Sequence, residues 1–217
     1  MERREKALEV DRRLARAFGS RLPSDRRDMI HELIHAVLSQ NTSRNNYDLA
    51  YRRLTERFPS VEGIATAPLT EVEEAIRPGG LSQRKSVVIQ AILAEIHRER
   101  GEYSLEFLGG LSVGEAREFL TSLTGVGPKT ASVVLMFAGG RKVLPVDTHV
   151  LRTTKRIGLI DKEITAERAQ QELEELVPPA KRPRTHLNLV RLGREVCRAR
   201  ATRCEVCPVN NICEYQQ

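Results

Sequence analysis

Apolar residues recur at intervals of three and four along almost the whole chain, the period of a helix with one face turned inward. Met29, Ile30, Leu33, Ile34, Val37 and Leu38 form one such stripe, and Ile89, Ile92, Leu93 and Ile96 form another. Positions 131–138 are apolar on nearly every face, which predicts a helix buried on all sides. No competing strand pattern is present. Glycine and proline punctuate the stripes at Arg77-Pro78-Gly79-Gly80, Gly109-Gly110, Gly125-Val126-Gly127-Pro128, Gly139-Gly140 and Pro178-Pro179. The pattern predicts an all-α fold of about ten short helices. A length of 217 residues suits one large domain or two small ones. With no flexible linker, low-complexity tract or internal repeat, any division must come from packing.

Charge adds a partner class. The formal net charge is +6 and the sequence pI about 9.4, which favours a polyanion. Arginine far outnumbers lysine and suits bidentate phosphate contacts, although genomic base composition gives the same bias. Residues 1–20 are charged throughout and no long apolar run occurs, so neither a signal peptide nor a membrane span is expected. The expectation is a soluble, cytoplasmic protein, nucleoid-associated in a prokaryote.

All four cysteines, Cys197, Cys204, Cys207 and Cys213, fall within the last 21 residues. Without a secretory segment, such clustering points to metal ligands rather than disulfides. Structural zinc sites usually pair two close doublets, whereas here one doublet, Cys204 and Cys207, is flanked by a single ligand on each side. A cubane iron–sulfur cluster fits at least as well, and spacing alone leaves iron against zinc open. Arg198, Arg200 and Arg203 lie between the first two cysteines. They are either a solvated charge run or a guanidinium row for phosphates.

The run 120–131 reads as helix, tight turn, helix. Gly125 and Gly127 allow the turn, and exposed amides there, with Thr130 at the start of the next helix, make a nest for a phosphate. Pro128 suits a helix start. A Gly-x-Gly turn also occurs in ordinary loops between packed helices. Lys129 stands at this hairpin where most cations of the chain are arginine, and lysine can become a neutral nucleophilic amine. The helix dipole and partial desolvation are expected to lower its pKa, although a lone lysine is more often solvated or phosphate-bound. Further on, Leu144-Pro145-Val146-Asp147-Thr148-His149-Val150 runs into a helical stretch, with Asp147 where an N-cap belongs.

These features together resemble the endonuclease III family of DNA glycosylases and AP lyases. The resemblance runs from the helix at Met29 to Cys213, with its motifs in the family's order. It implies a 4Fe-4S cluster on the four cysteines and a helix-hairpin-helix around Gly125 and Gly127. Lys129 then attacks the deoxyribose carbon that bears the damaged base, and Asp147 is the catalytic carboxylate of the Val-Asp-Thr-His motif. His149 is assigned to packing or phosphate contact, with no proton-transfer role. Leu38-Ser39-Gln40-Asn41-Thr42 is similar to the loop whose glutamine fills the hole left by an extruded nucleotide, and Gly80-Leu81-Ser82 to the loop whose leucine wedges between bases. Read without the resemblance, Gln40 is a helix-end polar residue and Leu81 a core residue.

The implied architecture is a helical barrel over 22–141 and a second helical domain from 1–21 plus 142–217, with the site in the cleft between them. The implied reaction is removal of oxidised pyrimidines from duplex DNA by a monomeric enzyme that also nicks the strand. Departures exist. Thr124 replaces the proline of the usual Leu-Pro-Gly and is expected to loosen the turn. Pro128 takes a place often held by a basic residue, and Thr121 one where some members carry a carboxylate. They bear on rate and substrate breadth. Adenine- and thymine-specific mismatch glycosylases are disfavoured by Lys129, and a non-catalytic DNA-binding module by Lys129 together with Asp147.

Overall fold

The computed structural model describes residues 1–19 and 26–215, and among these no strand is present. Eleven α-helices follow in order: α1 Arg3–Phe18, α2 Met29–Leu38, α3 Arg44–Arg57, α4 Val61–Thr66, α5 Leu69–Ile76, α6 Ser82–Arg100, α7 Val113–Ser122, α8 Pro128–Phe137, α9 Thr148–Ile157, α10 Ala166–Leu176 and α11 Arg182–Glu195. The periodicity accounts for most of them. α4 escapes it because six residues are fewer than two turns, too short for a stripe to repeat; its start is set by Ser60, whose hydroxyl accepts from the Gly63 amide at 3.0 Å.

The chain divides into two compact units, Met1–Asp25 with Arg141–Gln217, and Arg26–Gly140. In the central unit the stripe of α2, from Met29 to Leu38, is buried, as are Ile89, Ile92, Leu93 and Ile96 of α6. α8 is buried on nearly all sides from Thr130 to Met136, which is why its sequence lacks a polar face. Each such leucine or isoleucine contributes about 1.5–3 kcal/mol by leaving water. Truncating Leu33, 0% exposed, to alanine would cost about 2–5 kcal/mol through transfer and cavity together. Local signals fix the helix starts: Asp28 caps α2 through the His31 amide at 2.8 Å, and Ser112 with Glu115 forms a reciprocal capping box at α7.

The other unit joins the first helix to the last third of the chain. Ala7, Val10 and Leu14 of α1 pack in one core with Val150 and Ile157 of α9, Leu173 of α10, and Leu189 and Leu192 of α11. A buried carboxylate reinforces this join. Asp11, 1% exposed, accepts from Arg184 Nη2 at 2.5 Å, Arg184 Nε at 3.1 Å and Thr185 Oγ1 at 2.9 Å. A buried charge is tolerated when its lone pairs are filled in this way.

Candidate functional site

The hairpin lies between the end of α7 at Ser122 and the start of α8 at Pro128. Val126 N–H donates to the Leu123 carbonyl at 3.1 Å and closes the turn. The two glycines serve different ends. Gly125 has φ +75°, where a side chain is strained, and a Cβ there would lie 2.8 Å from Val88 Cγ1 of α6. Gly127, the N-cap of α8 at φ −90°, meets nothing within 4 Å, so its bare Cα leaves the N-terminus of α8 open to close approach. A helix leaves its first-turn amides directed outward, beside the positive end of its dipole. Lys129 is the second residue of α8 and is half-buried. Thr130 is 4% exposed, so its side chain faces the protein and only its backbone is placed to serve an anion.

Thr124 does not loosen the turn. Its amide donates to Glu95 Oε2 at 2.9 Å and its hydroxyl to Oε1 at 2.5 Å, so one carboxylate of α6 clamps both donors. A proline could not supply that amide. Thr121 turns its hydroxyl back to the Arg117 carbonyl at 2.9 Å within α7.

The two loops expected to meet DNA lie in the same unit as the hairpin. Gln40 follows the last turn of α2, and its Nε2 points toward the Gly125 carbonyl at 3.4 Å and Thr130 Oγ1 at 3.5 Å. Gln40, Gly125 and Thr130 are therefore brought together. Leu81 is not a core residue: it is 56% exposed and sits at φ +51°, in the left-handed region, at the N-cap of α6. An exposed leucine on a strained backbone is a feature that packing does not explain.

Asp147 caps α9, its Oδ1 accepting from the Val150 amide at 2.8 Å. The extended segment before it is held on both sides. Glu174 Oε1 accepts from the Leu144 amide at 3.0 Å, and buried His186 donates through Nδ1 to the Pro145 carbonyl at 2.8 Å. His149 packs where α9 crosses α11, and a Cβ on Gly193 would come 2.8 Å from its own Cβ. Its Nδ1 takes a bond from Arg152 at 3.1 Å. Burial holds its pKa below the ordinary imidazole value, Asp147 opposing this and Arg152 and Arg194 adding to it.

Arg152 also donates to the Gly193 carbonyl at 2.8 Å and, through Nε, to the Cys197 carbonyl at 3.1 Å. One turn on, Arg156 donates to the Arg198 carbonyl at 2.7 Å and to Cys197 Sγ at 3.5 Å, and lies 4.4 Å over the Tyr215 ring. The helix that Asp147 caps is thus tied to the cysteine loop by two guanidiniums. Arg198, Arg200 and Arg203 are exposed on that loop.

The four cysteines form no disulfide and line one recess, whose other walls include Ile157, Leu192, Val196 and Val209. Among the described residues no three Cys, His, Asp or Glu side chains converge as a lone metal ion requires. Four thiols lining one apolar recess are the donor set that a four-thiolate iron–sulfur cluster takes. Burial pushes the Cys207 and Cys213 thiols up, and the neighbouring cysteines add to it. The donor set therefore fits an iron–sulfur cluster.

Glu95, Arg152, Arg156 and His186 carry no local sequence signal. Their contacts with Thr124, Cys197, Arg198 and Pro145, respectively, span 29 to 45 residues of the chain.

Comparison with known proteins agrees. Residues 34–179 match the HhH-GPD superfamily of base excision DNA repair proteins. Endonuclease III of Thermotoga maritima is 31% identical over 207 residues, covering 93% of this chain and 91% of that protein. Endonuclease III of Bacillus subtilis is 31% identical over 205 residues, covering 92% and 90%. A provisionally named DNA glycosylase of Arabidopsis thaliana is 37% identical over 155 residues, and the chain spans about half of its length, 53%. A trapped covalent intermediate of endonuclease III with DNA superposes with a TM-score of 0.83 at 28% identity, covering 98% of this chain and 96% of that one. A thermostable thymine-DNA glycosylase, at 22% identity and a TM-score of 0.80, shares the fold.

Proposed function

Since the chain belongs to the HhH-GPD superfamily of base excision DNA repair proteins and is a DNA glycosylase of the endonuclease III family, we propose that it is bifunctional, excising oxidised pyrimidines from duplex DNA and then nicking the strand. The observation that carries this reading is the lysine at the second position of α8, beside the hairpin. A monofunctional glycosylase needs only to activate water, whereas an amine can itself form the new bond.

In this mechanism the hairpin holds a DNA phosphate at the open N-terminus of α8, and Arg198, Arg200 and Arg203 reach further phosphates. The damaged nucleotide is extruded, with Gln40 filling the hole and exposed Leu81 wedging into the stack. The Lys129 Nζ lone pair then bonds to the sugar carbon as its bond to the base breaks and the base departs with the electron pair. Asp147, its carboxylate oriented by the capping bond, stabilises the oxocarbenium-like charge of that step and helps take the proton from the amine. The sugar ring opens to an iminium, loss of a neighbouring carbon-bound proton follows, and elimination expels the 3′ phosphate. The cluster on Cys197, Cys204, Cys207 and Cys213 supplies structural order to the arginine loop when bound.

Single-turnover reactions on a duplex with one thymine glycol test this reading. Strand scission should accompany base release without added alkali, and Lys129→Gln should abolish both. Base release that persists without scission in the wild type would mean a monofunctional enzyme.

A further inference from the structure

The mechanism leaves a buried cation of α6 unused. Lys85, in the first turn of α6, is 3% exposed, and burial pushes its pKa down. Among the described residues no carboxylate pairs with it. Its Nζ donates instead to two backbone carbonyls, Leu38 at 2.8 Å and Gly79 at 2.8 Å. Leu38 is the last residue of α2, and Gly79 ends the 3₁₀ turn Arg77–Gly79. Both carbonyls lie at C-terminal ends, where helical peptide dipoles present partial negative charge. The ammonium is therefore compensated by two helix ends rather than by a counterion. A compact ammonium can direct several bonds from one atom, which a planar guanidinium cannot do at this closeness.

What those two ends lead into gives the contact its meaning. Gln40 is two residues past Leu38, and Leu81 is two residues past Gly79. Each loop then carries a non-glycine residue in the left-handed region, Asn41 at φ +54° and Leu81 at φ +51°. Two strained loops that follow carbonyls shared by one ammonium are mechanically joined at their roots.

We infer that Lys85 is a positioning residue that couples the Gln40 and Leu81 loops, so that the plug and the wedge enter the DNA stack as one unit. The inference rests on the gap-filling roles given above to Gln40 and Leu81. Coupling of this kind makes the two side chains non-additive, because losing either leaves the other poorly held in the stack. It bears on extrusion of a paired base and much less on an abasic site, where pairing is already lost.

The test is a double-mutant cycle. Excision from a well-paired thymine glycol duplex is measured for Gln40→Ala, Leu81→Ala and the double variant, with nicking of an abasic duplex and melting temperature as controls. With Lys85 present, the double variant should be within about threefold of the slower single variant, a shortfall of about tenfold from the product of the two losses. In a Lys85→Met background the two losses should multiply, and Lys85→Met alone should slow paired-duplex excision more than abasic nicking. Losses that multiply with Lys85 intact overturn the coupling while leaving the gap-filling roles standing, and this arm decides the matter even if Lys85→Met does not fold. If neither single variant slows excision, the gap-filling reading itself falls, and the coupling with it.

Discussion

Asp147 caps α9, and the proposed mechanism gives the same carboxylate a second task; substitutions separate the two. As the cap of α9 it accepts the Val150 amide, a task asparagine performs about as well. Its proposed role beside the sugar depends instead on its charge. Asp147→Asn should leave stability nearly unchanged and slow base release strongly with little loss of DNA affinity, whereas Asp147→Ala should also cost about 1 kcal/mol of folding stability. Urea melts beside single-turnover excision would read both, and equal loss of stability in the two variants would reduce Asp147 to a structural cap. The cap was legible in the sequence because an N-cap is a local signal just before a helical stretch. Leu81 was not: apolarity alone places a leucine inside, and only its 56% exposure and left-handed backbone show that it faces outward.

Among the elements, the hairpin was legible because its glycines and Pro128 act locally, through backbone freedom and a missing amide. Its support was not. The carboxylate that clamps Thr124 comes from α6, 29 residues earlier, and no periodicity links the two positions. For the same reason the departure at Thr124 reads from sequence as a loosening, while in the fold it brings an amide and a hydroxyl to one acceptor. Glu95→Ala should therefore cost about 1 kcal/mol of stability and weaken binding to duplex DNA irrespective of lesion. Thr124→Ala, which keeps the amide bond, should lose less. Binding curves and denaturant midpoints for both variants that match the wild type would show that the clamp does not shape the hairpin.

For the whole molecule, helical periodicity conveyed the all-α class, and motif order conveyed the family, because both are carried by short-range spacing. Tertiary ties were hidden. Asp11 joins α1 to α11 across more than 170 residues, and Arg152 and Arg156 tie the helix capped by Asp147 to the cysteine loop. Each tie depends on side chains that meet only after the helices pack, so their charges read in sequence as ordinary surface. Those ties hold an aspartate and a cysteine loop in one unit, while the hairpin and its lysine belong to the other. What joins them in function is the chemistry proposed for Lys129, and borohydride trapping reads it directly. With a thymine glycol duplex, reduction should capture a covalent protein–DNA adduct in the wild type and none in Lys129→Gln. An adduct of equal yield in Lys129→Gln, or no adduct in a wild-type protein that releases the base, would contradict the assignment of Lys129 as the nucleophile.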